Sequence, residues 1–151
     1  MQLTFLQHNI SERFFIIMEI AIMAEDTKKE LMAQFCSAYC GILSKHHIYS
    51  TGALARYISD NTGLSVEGLL SGMQGGREQI SQRVAYNEID LLIMFRDSAP
   101  ESAEKQDINE CLRLCDYHNI PYATNIGTAE ALIIALDRGD LDWRMIVKSR
   151  G

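Results

Sequence analysis

The sequence predicts an α/β fold, a single doubly wound and mainly parallel sheet with helices on both faces. Three observations carry this reading. Short apolar runs of strand type alternate along the chain with segments of helical periodicity, the pattern of successive βα units. One run, Asp90 to Phe95 (DLLIMF), is apolar almost throughout, without alternation, as suits a strand covered on both faces. The 151 residues, 47% of them hydrophobic, make one composition block of single-domain size, with no internal repeat or low-complexity linker to divide it.

Residues 1–13 are polar and aperiodic and read as an N-terminal tail or edge element, leaving 14–151 as the domain. Phe14 to Ala24 is apolar, but Glu19 interrupts it and Glu25-Asp26 follow at once. It is shorter than the roughly 20 residues of a spanning helix, so no membrane partner is expected and Met18 to Ala24 reads as a buried strand. Thr27 to Tyr39 reads as a helix with Leu31, Phe35 and Ala38 on one face, His47 to Ser50 as a short strand, and Ala53 to Asp60 as a helix closed by the turn residues Asn61-Thr62-Gly63. Val66 to Leu70 leads through a turn into helical spacing at Ile80 to Val84. Then come a helix over Ile108 to Tyr117, a strand over Pro121 to Asn125, a helix over Thr128 to Leu136 and a last short strand over Trp143 to Val147.

A net charge of −6 argues against nucleic acid as the main partner, since phosphate backbones are bound through basic patches. Cys36 and Cys40, like Cys111 and Cys115, lie one helical turn apart; structural zinc sites use closer pairs on turns, so these read as small buried thiols of a reducing cytoplasm and no metal is expected. His46-His47 has no ligand-type spacing to another His or Cys, and His118 stands near a helix end, where a cation is favourable.

The stretch VEGLLSGMQGGREQ, Val66 to Gln79, offers the best candidate ligand turn. A strand end passes into Ser71-Gly72, and Gly75-Gly76 opens a helix, so the main chain can approach a ligand closely and free N–H groups favour an anion. Neither the spacing of a dinucleotide fingerprint nor the ending of a Walker loop is present. In a sheet of this kind ligands sit beyond the carboxyl ends of the strands, which directs attention to residues 24–29, 50–54, 70–79, 96–107 and 124–128.

Across those loops the chain resembles the methylglyoxal synthase family. The resemblance rests on AED-xx-K at 24–29, STG at 50–52, LSG-xx-GG at 70–76, FRD at 95–97 with Asp107 beyond, and IPYATNIGTA at 120–129, and it extends from Met18 to Leu132. It implies a flavodoxin-like or Rossmann-like domain, a homohexamer, no cofactor, and conversion of a small phosphorylated metabolite, dihydroxyacetone phosphate, to methylglyoxal and phosphate. It also implies phosphate binding by Lys29, Thr51, Gly52, Ser71 and Gly72, and places Asp26, Asp97 and Asp107 at acidic positions of the family. Five positions depart from the pattern. Arg77 stands where the family has its aspartate base, and Glu25 and Glu104 stand where it has histidines. Ala53 and Leu54 stand where it has phosphate-binding threonines.

Arginine stays protonated and cannot serve as a base. Glu78, the adjacent carboxylate, points about 100° away around the helix. Weak or absent synthase activity is therefore expected, with Arg77 paired to Glu25 or Glu104. The alternatives are a phosphate-binding regulatory module, as the related regulatory domain of carbamoyl phosphate synthetase looks like this fold used without chemistry, or an oligomeric scaffold.

Overall fold

The computed structural model describes residues 16–69, 75–98 and 103–150; the side chains of 75, 103–107, 149 and 150 are outside that description. The tail assigned to 1–13 lies outside the described residues, as do Ser71 and Gly72.

The strands are β1 (Glu19–Ala24), β2 (His47–Thr51), β3 (Glu67–Leu69), β4 (Leu91–Phe95) and β5 (Tyr122–Ala123), of which β1 and β4 form where apolar residues cluster. All pair in parallel in the order β3-β2-β1-β4-β5. Parallel pairing needs a crossover between neighbours, and helices provide it: α1 (Lys29–Ala38), α2 (Cys40–Leu43), α3 (Gly52–Thr62), α4 (Gly75–Ala85) and α5 (Ala103–His118), while α6 (Ile126–Arg138) and α7 (Arg144–Arg150) follow β5. A 3-10 turn, Asp26–Lys28, precedes α1.

The alternation of side chains along the strands divides the core in two. Ile20, Ile22, Ile48, Ile93 and Phe95 pack with Met32, Phe35, Ile58 and Ile133, residues of α1, α3 and α6. Ala21, Met23, Tyr49, Leu92 and Met94 pack with Ile80 and Val84 of α4 and Cys111, Leu112 and Cys115 of α5. β4 is buried along its whole length, which is why it reads as an unbroken apolar run. Gly63 ends α3 at φ 74°, where a side chain would be strained. Gly68 lets α3 approach β3, since a Cβ there would lie 3.2 Å from the Gly52 Cα.

Trp143 to Val147, expected as a strand, is instead a turn residue, Trp143, followed by the first residues of helix α7. Arg144 and Lys148 both reach the buried carboxylate of Asp90, Lys148 Nζ at 3.0 Å from Oδ2 and Arg144 Nε at 3.6 Å from Oδ1. Four residues of helix rise about 6 Å, whereas four residues of strand would spread the two cations about 13 Å apart, too far to share one carboxylate. The helix expected over Thr27 to Tyr39 begins instead as the 3-10 turn and passes at Tyr39 into α2.

The histidines among the described residues make structural contacts. His47 ties the amino ends of three strands, its Nδ1 3.0 Å from Glu19 Oε2 on β1 and its Nε2 3.0 Å from Glu67 Oε2 on β3. His118, the last residue of α5, lies with Nε2 2.8 Å from the Ala85 carbonyl. Cys36, Cys111 and Cys115 are buried and Cys40 half-buried, all as free thiols; burial, with Cys40 nearby, pushes the Cys36 thiol up to about 12.

His46 Nδ1 accepts the Met18 N–H at 3.0 Å, which requires that nitrogen unprotonated. Burial holds its pKa below the usual 6.5; Asp137 pulls it up in part, Lys45 lowers it and Asp90 raises it. The unfolded chain therefore binds the extra proton first, and stability falls as pH drops through about 6.5 toward the lowered folded value. The urea midpoint should decrease between pH 7.5 and 5.5, and His46→Asn, whose carboxamide oxygen can take the Met18 N–H, should lessen that decrease; an identical pH slope in both proteins would rule out His46 as its source.

Candidate functional site

Because every strand is parallel, the residues after each strand emerge at one edge of the sheet. Glu25 follows β1, Thr51 and Gly52 join β2 to α3, Arg96 and Asp97 follow β4, and Thr124 and Asn125 follow β5. Arg77 occupies the first turn of α4 and is half-buried. The strand order reverses between β1 and β4, so the crevice of this fold opens where Glu25 and Asp97 stand.

Those two residues are in contact. Glu25 is 7% exposed, its N–H donates to the Phe95 carbonyl at 3.0 Å, and its Oε2 accepts the Asp97 N–H at 2.5 Å. Thr27 Oγ1 donates to Asp97 Oδ2 at 3.1 Å. Arg96 is turned aside, its N–H to the Thr124 carbonyl at 3.3 Å and its Nη1 to Asn109 Oδ1 at 3.0 Å. Asp26 is exposed on the 3-10 turn. Lys29 begins α1 with its ammonium 5.2 Å from the centre of the Tyr57 ring on α3. Thr51 is the N-cap of α3 in extended conformation, and its hydroxyl makes no capping bond. Asn125, by contrast, caps α6 by accepting the Thr128 N–H at 3.0 Å.

The MGS-like domain family model matches residues 32–124. A methylglyoxal synthase of Caldicellulosiruptor saccharolyticus is 55% identical over 133 residues, covering 88% of this chain and 94% of the relative. That of Alkaliphilus metalliredigens is 48% identical over 134 residues, covering 89% of this chain and all of the relative. The chain belongs to the methylglyoxal synthase family. A crystal structure of methylglyoxal synthase from Elizabethkingia anophelis NUHP1 superposes with a TM-score of 0.71 at 30% identity, covering 78% of this chain and 77% of that one.

Of the residues that the resemblance to methylglyoxal synthases points to, Thr51 ends β2 and Glu25, Asp26, Lys29, Gly52, Arg77 and Asp97 stand on loops or first helical turns that follow β1 to β4, so the fold gathers them at one edge. Ser71 and Gly72 lie outside the described residues. Glu104 and Asp107 fall on α5, but their side chains lie outside the description, and the expected Arg77–Glu104 pair lies there too. Thr27 was not singled out in the sequence, although it sits inside the AED-xx-K motif of the methylglyoxal synthase resemblance; its bond to Asp97 spans 70 positions, and nothing local signals it. Tyr57, beneath Lys29, escaped for the same reason, because pairing α1 with α3 is a tertiary event.

Proposed function

We propose that this methylglyoxal synthase family protein has weak or no synthase activity. The family reaction removes a carbon-bound proton from dihydroxyacetone phosphate, stabilises the enediolate and releases phosphate, so it needs a base, electrophilic donors and an anion cradle. Arg77 at the base position carries this reading: a guanidinium has donors and no acceptor. Glu25 at one histidine position supports it. Its Oε2 accepts the Asp97 N–H, an acceptor where the family has an imidazole. Glu104 at the other histidine position argues the same way. Colorimetric measurement of methylglyoxal formed from dihydroxyacetone phosphate tests the reading.

The phosphate cradle is the more fully retained part. Lys29, Thr51, Gly52, Ser71 and Gly72 keep the family pattern, and the hydroxyl of Thr51 is not used in capping α3. A phosphorylated metabolite is the ligand class this pattern suits, which is the regulatory-module reading. Asp26, Asp97 and Asp107 would line the acidic side of the same site.

By family, the assembly is a closed homo-oligomer, a hexamer, in the cytoplasm. Light scattering at micromolar concentration should give about six times the 17.1 kDa chain mass. A monomer would remove this expectation. Among the described residues no helix is long and apolar enough to cross a membrane.

A further inference from the structure

Main-chain N–H groups just past the strand ends are the donors that a crevice of this kind offers to an anion. One such donor in this chain is already engaged. The Asp97 N–H, past the end of β4, points at Glu25 Oε2, and Glu25 is held in place by its own N–H bond to the Phe95 carbonyl. Asp97 is fixed from its other side by Thr27 Oγ1. Neither partner of the bond is therefore a loosely placed surface group, and Glu25 as a residue is buried.

We infer that Glu25 is a specificity-determining residue, a tethered internal anion that occupies the Asp97 amide and weakens the binding of phosphate-bearing ligands that reach the β1–β4 end of the crevice. An incoming anion must displace a carboxylate that is already bound intramolecularly, and must enter against its charge. The inference deepens the reading of altered chemistry given above and rests on it, because it concerns what the same substituted position does to ligand choice.

Calorimetry with inorganic phosphate and with dihydroxyacetone phosphate, on the full-length wild type, Glu25→Ala and Glu25→Gln, tests it. Glu25→Ala frees the amide and removes the charge, so both probes should bind about tenfold more tightly or better. Glu25→Gln should gain less, since its carboxamide oxygen still accepts the Asp97 N–H. The Asp97 amide proton resonance should move upfield in Glu25→Ala and stay near its wild-type position in Glu25→Gln. Unchanged affinity in Glu25→Ala with a normal thermal melt would overturn the inference, and an equal gain in both variants would overturn the amide as its basis. If Glu25→Ala does not fold, Glu25→Ser asks the same question. Methylglyoxal production by the wild type would instead count against the reading of weak activity, and it is measured without any variant.

Discussion

Dihydroxyacetone phosphate incubated with the purified protein should give methylglyoxal at least about 10⁴-fold more slowly than with a family member carrying the aspartate and both histidines. Loss of a general base costs roughly 10² to 10⁴ and loss of an electrostatic stabiliser roughly 10² to 10³, and groups acting as one unit are not additive, so about 10⁴ is the joint floor. Turnover within roughly 1 to 10³ s⁻¹, the ordinary range for enzymes, would refute the reading. Restoring the pattern with Arg77→Asp, Glu25→His and Glu104→His together should raise the rate about 100-fold or more over the starting protein. Arg77→Asp alone should do less, because Glu25 would still present an acceptor where the reaction needs a donor. Any residual activity can be assigned separately: Glu78 is exposed on the first turn of α4, and Glu78→Gln abolishes the activity only if that carboxylate is the base.

The sheet was legible because its central strands, β1 and β4, are buried on both faces, and DLLIMF at β4 shows this most plainly. The crevice was legible because βα order alone dictates that loops after parallel strands share an edge. Two things were hidden. Trp143 to Val147 has strand-like residues, yet its conformation is decided by Arg144, whose partners are 26 to 57 positions away. The Glu25–Asp97 contact spans 72 positions, and a sequence shows two acidic residues on separate loops without showing that one accepts from the main chain of the other. Both failures concern polar groups satisfied by tertiary partners, where local propensity is silent.

Arg144→Ala should lower stability by about 3 to 5 kcal/mol, read as a drop in the urea midpoint with little change in slope. Arg144 is fully buried, with Nη2 donating to Asn87 Oδ1 at 2.7 Å and the Ile89 carbonyl at 2.8 Å, and Nη1 to the His118 carbonyl at 3.1 Å. Burial lowers its pKa from the usual arginine range while Asp90 pulls it back up, and the group remains a cation at any working pH. Truncation leaves Asn87 and two carbonyls without this donor and leaves Asp90 to the Glu19 N–H and Lys148 alone. Lys148→Ala should cost much less, about 1 kcal/mol, because its side chain is 26% exposed and water can replace it. The double variant Asp90→Asn/Arg144→Met should recover part of the Arg144→Ala loss, since the buried carboxylate is removed with its cation and the methionine refills the volume. A loss below about 1 kcal/mol in Arg144→Ala would mean that α7 is held to the sheet by its apolar contacts and that the buried cation is dispensable.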